Sequence, residues 1–243
     1  MKVIAVIASF NRDEILRDCI LCIAPQVDNI IIVGSSNWVS TPGMGSHIEK
    51  QIAIENDLIY VDHANNPLGR KWQAGLNRAR EEGADAVLIC GSDDLIPVGY
   101  VEFLKSWCPA DTVWGSYRWN VYNTILNKMV RCEYRMRADP IGAGRIIPKS
   151  VLDKLDWEIF PVIAGQGCDL YSYNRLHKVS VFYNSPALQA EPVLCVKGGW
   201  DCMDTWDQIL DSPALNVQER CTEFIPDYLA DKFPAVDFDK YTK

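Results

Sequence analysis

Two adjacent carboxylates, Asp93 and Asp94, stand in the stretch LICGSDDLIP, directly after a short apolar run. Acids at such a place either close a turn and cap the segment LIPVGYVEFL, or hold a divalent cation over a ligand. The second role is chemically sound even with one ligating carboxylate. Mg2+ and Mn2+ take hard oxygen ligands and commonly bind through one or two carboxylates plus substrate phosphates. Farther up the chain, Arg70 and Lys71 open the amphipathic stretch GRKWQAGLNRAREEG. Backbone donors and positive charge at a helix start suit a phosphate; a solvated helix face accounts for the same two residues equally well.

These side chains need elements to hold them. KVIAVIA (2–8), NIIIVGSS (29–36), LIYVDH (58–63) and ADAVLIC (84–90) read as buried strands, short and with little polar alternation. After the first, Asn11 and Glu14 have the spacing of a capping box, which predicts a helix ending near Ala24 where Pro25 stops it. The stretch 69–83 is a second helix closed by a Gly. Strands alternating with helices predict a parallel sheet covered on both faces. Beyond residue 100 the pattern changes: DTVWGSYRWNVYN and KMVRCEYRMR alternate as antiparallel strands do, and PKSVLDKL (148–155) and GCDLYSYNRLHK (167–178) look helical.

The 243 residues fit one domain. Hydrophobic residues make up 48% and charged residues 23%, ordinary for a globular chain. Twenty-four Lys and Arg against 32 Asp and Glu give a net charge of −8, so no general electrostatic footprint for nucleic acid or anionic membrane exists. MKVIAVIASFNRDE is too briefly apolar for a signal peptide, and no stretch approaches the roughly 20 apolar residues of a bilayer span. The nine cysteines are therefore expected to be reduced thiols in a cytoplasm. Cys19 and Cys22 fall inside the apolar helical pattern and read as small buried hydrophobes. With three histidines and no second CxxC, a structural zinc site is not expected.

Ligands on open α/β sheets bind beyond the carboxyl ends of the strands. ASFNR, GSSN, HANNPLGRK and CGSDD occupy those positions, which brings Ser9, Asn11, Arg12, Ser35, Lys71, Ser92 and Asp93 into one candidate crevice.

The stretch VIASFNRDEILRDCILCIAPQVDNIIIVGSSN, with Gln26 in its place, resembles the opening of family 2 nucleotide-sugar glycosyltransferases of the GT-A fold. NPLGRKWQAGL resembles that family's Gly-rich segment, LICGSDDLIP its Asp-x-Asp-Asp metal stretch, and GCDLYSYNRL the segment carrying its catalytic base. Order and spacing agree over residues 3–180. Three departures stand out: Gly34 or Ser35 stands where the family has the acid that meets the uracil of a UDP donor, Gly91 replaces the first metal-motif Asp, and Lys71-Trp72-Gln73 replaces Ala-Arg-Asn.

The resemblance implies that Asp93 binds Mn2+ or Mg2+ on the diphosphate of a nucleotide-diphosphate sugar, a UDP-sugar being the favoured donor. It implies Asp169 as the base that deprotonates an acceptor hydroxyl in an inverting transfer, although Asp169 also stands where a helix N-cap would. Asp94 and Arg145, the latter in the Gly-flanked IGAGRIIPKS, fall on the acceptor side. In VKGGWDCMDTWDQI, Gly198-Gly199 offers a hinge, Trp200 an aromatic to close over a sugar and Lys197 a cation for the diphosphate; core packing of that Trp after a turn is the alternative.

The expectation is thus an α/β chain with a GT-A-like, mostly parallel Rossmann-like sheet, helices on both faces and a mixed second half. It is a single domain over 1–243: a nucleotide-sugar half (1–100), an acceptor and catalytic half (101–195), and a C-terminal lid and helical tail (196–243). The activity expected is metal-dependent glycosyl transfer in a cytoplasm, bacterial or phage-infected, with no membrane and no obligate protein partner. Small size and the GSDD variant resemble glycosyltransferases of bacteriophages and some bacteria, which adds DNA modification at a hydroxymethylated base to a glycan or small molecule as acceptor. Arg131, Arg135, Arg137 and Arg145 would then supply a local patch, and the aromatic second half a pocket for a flipped base. Nucleotidyl transfer and a non-catalytic nucleotide-sugar-binding module are the rival readings.

Overall fold

The computed structural model describes residues 1–35, 48–107, 109, 111–134, 141–160, 167–183, 193–198, 206–219 and 224–241. β1 (Val3–Ala8) is buried on both faces because every residue but the last is apolar and fully enclosed. It leads to α1 (Asp13–Ile23), whose Ile15, Leu16, Cys19, Ile20 and Ile23 turn inward. The expected Asn11–Glu14 capping box does not form. Asn11 takes a left-handed φ of 53°, Arg12 is the N-cap residue without a side-chain capping bond, and the Asn11 N–H donates to Glu49 Oε1 at 3.0 Å.

β2 (Asn29–Gly34), α2 (Ile48–Glu55), β3 (Ile59–Asp62), α3 (Leu68–Glu81) and β4 (Ala86–Gly91) follow. The helix α2 was not among the expected elements. β5 (Asp94–Leu95) is a two-residue strand leading toward α4 (Tyr100–Trp107). The alternating region then divides: β6 (Val113–Trp114) stands apart, while β7 (Arg118–Asn123) and β8 (Lys128–Tyr134) form the expected antiparallel hairpin. β9 (Arg145–Pro148), α5 (Lys149–Asp153), α6 (Cys168–Leu176), β10 (Phe182–Tyr183), β11 (Val193–Lys197), α7 (Trp206–Leu210), β12 (Leu215–Glu219) and α8 (Phe224–Lys232) complete the order.

Two sheets result. The larger runs β10-β6-β9-β4-β1-β2-β3 and is mostly parallel, with only β9 antiparallel to its neighbours β4 and β6. Side chains alternate across a strand, so Val3, Ala5 and Ile7 of β1 face a core shared with α1, α2, α4 and α8, while Ile4 and Val6 face one shared with α3, α5 and α6. Helices thus cover both faces. The smaller sheet runs β12-β8-β7-β11-β5. Its register sets Cys195 of β11 opposite Asp94 and Leu194 opposite Leu95, and the Val196 N–H donates to Asp93 O at 2.8 Å. The two-residue β5 therefore ties the end of the parallel sheet to the second sheet. Among the described residues, no helix is long and apolar enough to cross a membrane.

Candidate active site

The carboxyl ends of β1, β2 and β4 lie side by side, because Ala8 pairs in register with both Val33 and Gly91. Ser9 and Ser92 are the next residues, and both hydroxyls are buried without a hydrogen-bond partner. Buried donors left unpaid at the mouth of a sheet cost free energy unless a ligand or water takes them up.

Asp93 is the hub of this edge. Arg12 Nη1 donates to its Oδ1 at 2.8 Å and Lys197 Nζ to its Oδ2 at 3.0 Å. Burial alone would raise the Asp93 carboxyl; Lys197 and Arg12 outweigh it and hold the group below the usual carboxylate range. Arg12, Asp93 and Lys197 come from three distant parts of the chain, and the structure brings them together. Asp94 lies beside it, its Oδ2 accepting the Gly91 N–H at 2.8 Å. Burial first, and the charge of Asp93 second, push its carboxyl up to about 6.

Gly91 has a steric reason. A Cβ there would lie 2.6 Å from Asp94 Oδ2 and 3.3 Å from Asp93 Oδ1, so the Asp94 carboxylate fills the space a residue-91 side chain would need. Gly34 has a similar one: its Cβ would meet the Tyr60 hydroxyl at 2.8 Å and Glu49 Cβ at 3.1 Å. Glu49, from the unexpected α2, is almost fully buried beside the strand end where the resemblance led one to look for an acid. Sequence reasoning missed it; the apolar spacing of IEKQIAIE was the available signal.

Lys71 is not an open phosphate ligand but a buried tie. It is 0% exposed, and its ammonium donates to the Ser9 carbonyl, to Asn65 Oδ1 at 3.1 Å and to Ser35 Oγ at 3.3 Å. Ser35 Oγ in turn donates to the His63 carbonyl at 2.6 Å. One side chain thereby joins the loops after β1, β2 and β3. Burial lowers its pKa to about 8, with Glu49 and Asp62 acting the other way and Arg12 adding to the lowering.

Asp169 is exposed in the first turn of α6, where the helix end favours a carboxylate. It is not the N-cap; that is Gly167, with φ 72°. A Cβ at Gly142 would lie 2.0 Å from Asp169 Oδ1, so the carboxylate rests on the Gly142 backbone. That segment runs beside the end of β4, since the Gly144 N–H donates to Ile89 O at 2.8 Å. Arg145 is 4% exposed; its Nη1 donates to Ser172 Oγ at 2.9 Å, which fixes α6 to β9. It therefore positions the helix bearing Asp169 instead of presenting charge, and with Arg131 on β8 of the other sheet the two form no part of a common strand edge. Arg135, Arg137 and Trp200 lie outside the described residues.

A divalent cation has a donor set here. One ligand atom each from Asp93, Asp94 and Cys195 fall within 4.8 Å of one another. Two buried carboxylates side by side, one of them pushed up to about 6, fit the charge of such an ion. Cys19 and Cys22 are buried free thiols, and Cys19 Sγ donates to the Asp94 carbonyl at 3.2 Å, bracing the same peptide from behind.

No protein-family model and no curated protein matches the chain. Among solved structures, the 1–349 segment of S. aureus TarS in complex with UDP superposes with a TM-score of 0.51 at 10% identity over 82% of this chain, which spans 61% of that one. Glucosyl-3-phosphoglycerate synthase from Mycobacterium tuberculosis, solved with Mn2+, UDP-glucose and phosphoglyceric acid, gives 0.49 at 13% identity, covering 76% of this chain and 73% of that one. The arrangement of strands and helices is thus the GT-A type of α/β fold that the sequence resemblance implied.

Proposed function

We propose that the protein is a metal-dependent glycosyltransferase that moves a sugar from a UDP-sugar to an acceptor hydroxyl. The observation that carries this reading is the convergence of Arg12, Lys197 and the Asp93–Asp94 pair on one strand end. Two cations and two acids there suit a diphosphate and a divalent ion together. The UDP in the TarS structure, which shares the fold, supports uridine as the nucleotide.

Asp93 and Asp94 hold the cation in this reading; when bound, Mn2+ or Mg2+ neutralises charge on the departing diphosphate. Arg12 and Lys197 hold Asp93 in place and add their own charge beside the phosphates. The Ser9 and Ser92 hydroxyls offer donors to the same ligand. Asp169 takes the proton of the acceptor hydroxyl as its oxygen bonds to the sugar C1. The C1–O bond to the diphosphate breaks, its electron pair leaves with UDP, and the configuration at C1 inverts. Lys71 keeps the three nucleotide-side loops in register without touching the reacting atoms.

Calorimetric titration of UDP with and without Mn2+ tests the reading on wild type, Asp93→Ala and Asp169→Asn. The expected result is Mn2+-dependent UDP binding, abolished in Asp93→Ala and retained in Asp169→Asn, the latter losing at least about a hundredfold in turnover. Absence of UDP binding under every condition overturns it. Release of pyrophosphate in place of UDP would assign nucleotidyl transfer.

A further inference from the structure

On the β11 face that carries Cys195 and Lys197, the small sheet and α7 line an open cavity of about 240 Å³. Trp119 and Tyr134 form its aromatic wall, their ring centroids 5.3 Å apart and their planes tilted by 50°. Ile209 and Leu215 close its apolar side and Gln208 adds a polar group. Its remaining end is Lys197 and Cys195, the two residues that reach Asp93 at 3.0 and 4.0 Å. The cavity therefore adjoins Asp93 through Lys197 and Cys195 of the second sheet, whereas the loops joined by Lys71 belong to the first.

We infer that this cavity is the acceptor subsite and that it takes a single saccharide ring. The inference rests on the glycosyltransferase reading. Four features select the ligand class. The volume suits one six-membered ring with its substituents. An apolar ring face can lie against Trp119 while hydroxyls reach Gln208 and the Lys197–Asp93 end. A flat base is disfavoured because the two aromatic planes are tilted and form no parallel slot. The net charge of −8 likewise opposes a polynucleotide on this face. In this arrangement a ring hydroxyl at the inner end points to the carboxylate edge, where the donor's anomeric carbon must come.

Saturation-transfer NMR with UDP and Mn2+ present tests the assignment. The probes are methyl β-D-glucopyranoside, methyl β-D-galactopyranoside and 5-hydroxymethyl-2′-deoxycytidine, each on wild type, Trp119→Phe and Trp119→Leu. At least one glycoside should give ring-proton transfer, retained in Trp119→Phe and weakened about tenfold or more in Trp119→Leu. UDP titration should be unchanged in all three proteins, which also reports that each is folded. Transfer indifferent to Trp119→Leu, or seen with the nucleoside and neither glycoside, overturns the subsite. UDP binding without glycoside binding defeats this inference and leaves the proposed function standing; glycoside binding at Trp119 without any UDP binding overturns the proposed function and, with it, the assignment of the cavity as an acceptor subsite.

Discussion

At position 91 a family-like Asp would meet the carboxylate of Asp94 within 3 Å, so restoring the usual motif is expected to harm this site. Gly91→Asp should weaken Mn2+-dependent UDP binding by at least about tenfold, and should destabilise the fold by roughly 1–3 kcal/mol through overpacking. Parallel calorimetry and thermal melts would check both. Lys71 makes a second residue-scale prediction. Its folded pKa of about 8 lies below the ordinary 10.5, so between those values the unfolded chain binds more protons and the Lys71 contribution to stability rises with pH. Glu49, Asp62 and Arg12 are the charged groups facing it. Buried thiols such as Cys168, pushed up to about 11, slope the opposite way, so the readout is the difference between wild type and Lys71→Met. That difference should grow by roughly 3 kcal/mol from pH 8 to 10.5 in urea titrations. A flat difference would mean that Lys71 is not desolvated as its burial indicates. At this scale the sequence disclosed Asp93 as a site acid and set Arg12 and Lys197 on the donor side with it, but not that both would pair with its carboxylate directly. Those contacts span 81 and 104 residues and depend on tertiary packing.

Among the elements, the four parallel strands were legible because continuous Val and Ile runs leave them no solvent face. The capping box failed for a tertiary reason: the Asn11 N–H is claimed by Glu49, and the left-handed turn at Asn11 makes Arg12 the cap. β5 was illegible, since two residues carry no periodicity and its strand character is lent by β11. Gln26, noted only for its place in a resemblance, proves to be a joint. Its amide donates to Cys22 O at 2.8 Å and Pro97 O at 3.0 Å, and its Oε1 accepts the Val101 N–H at 3.2 Å. Gln26→Leu should therefore loosen the first turn of α4 against the end of α1. The expected cost is roughly 1–3 kcal/mol, with faster amide exchange at Val101 and little change at β1.

For the whole molecule, the last residues return to the first helix. Lys240 Nζ donates to Asp18 Oδ1 at 2.7 Å, and the Tyr241 hydroxyl donates to Asp18 Oδ2. Asp18 is 1% exposed on α1, and burial with that bond pushes the Tyr241 phenol up. Asp18→Ala leaves the tail without its buried acceptor and should cost about 3 kcal/mol, or roughly 6–12 °C in Tm. A melt unchanged by Asp18→Ala would show that the tail contributes nothing to stability. β5 carries a consequence for anyone dividing the chain. Expressed alone, residues 1–100 would retain β1 to β4, but Asp94 and Leu95 would have no strand to anneal to and β4 would show a bare edge where β9 belongs. Such a fragment would be a sticky half-sheet with Asp93 robbed of Lys197, and mixing it with the remainder would restore binding only by rebuilding the seam.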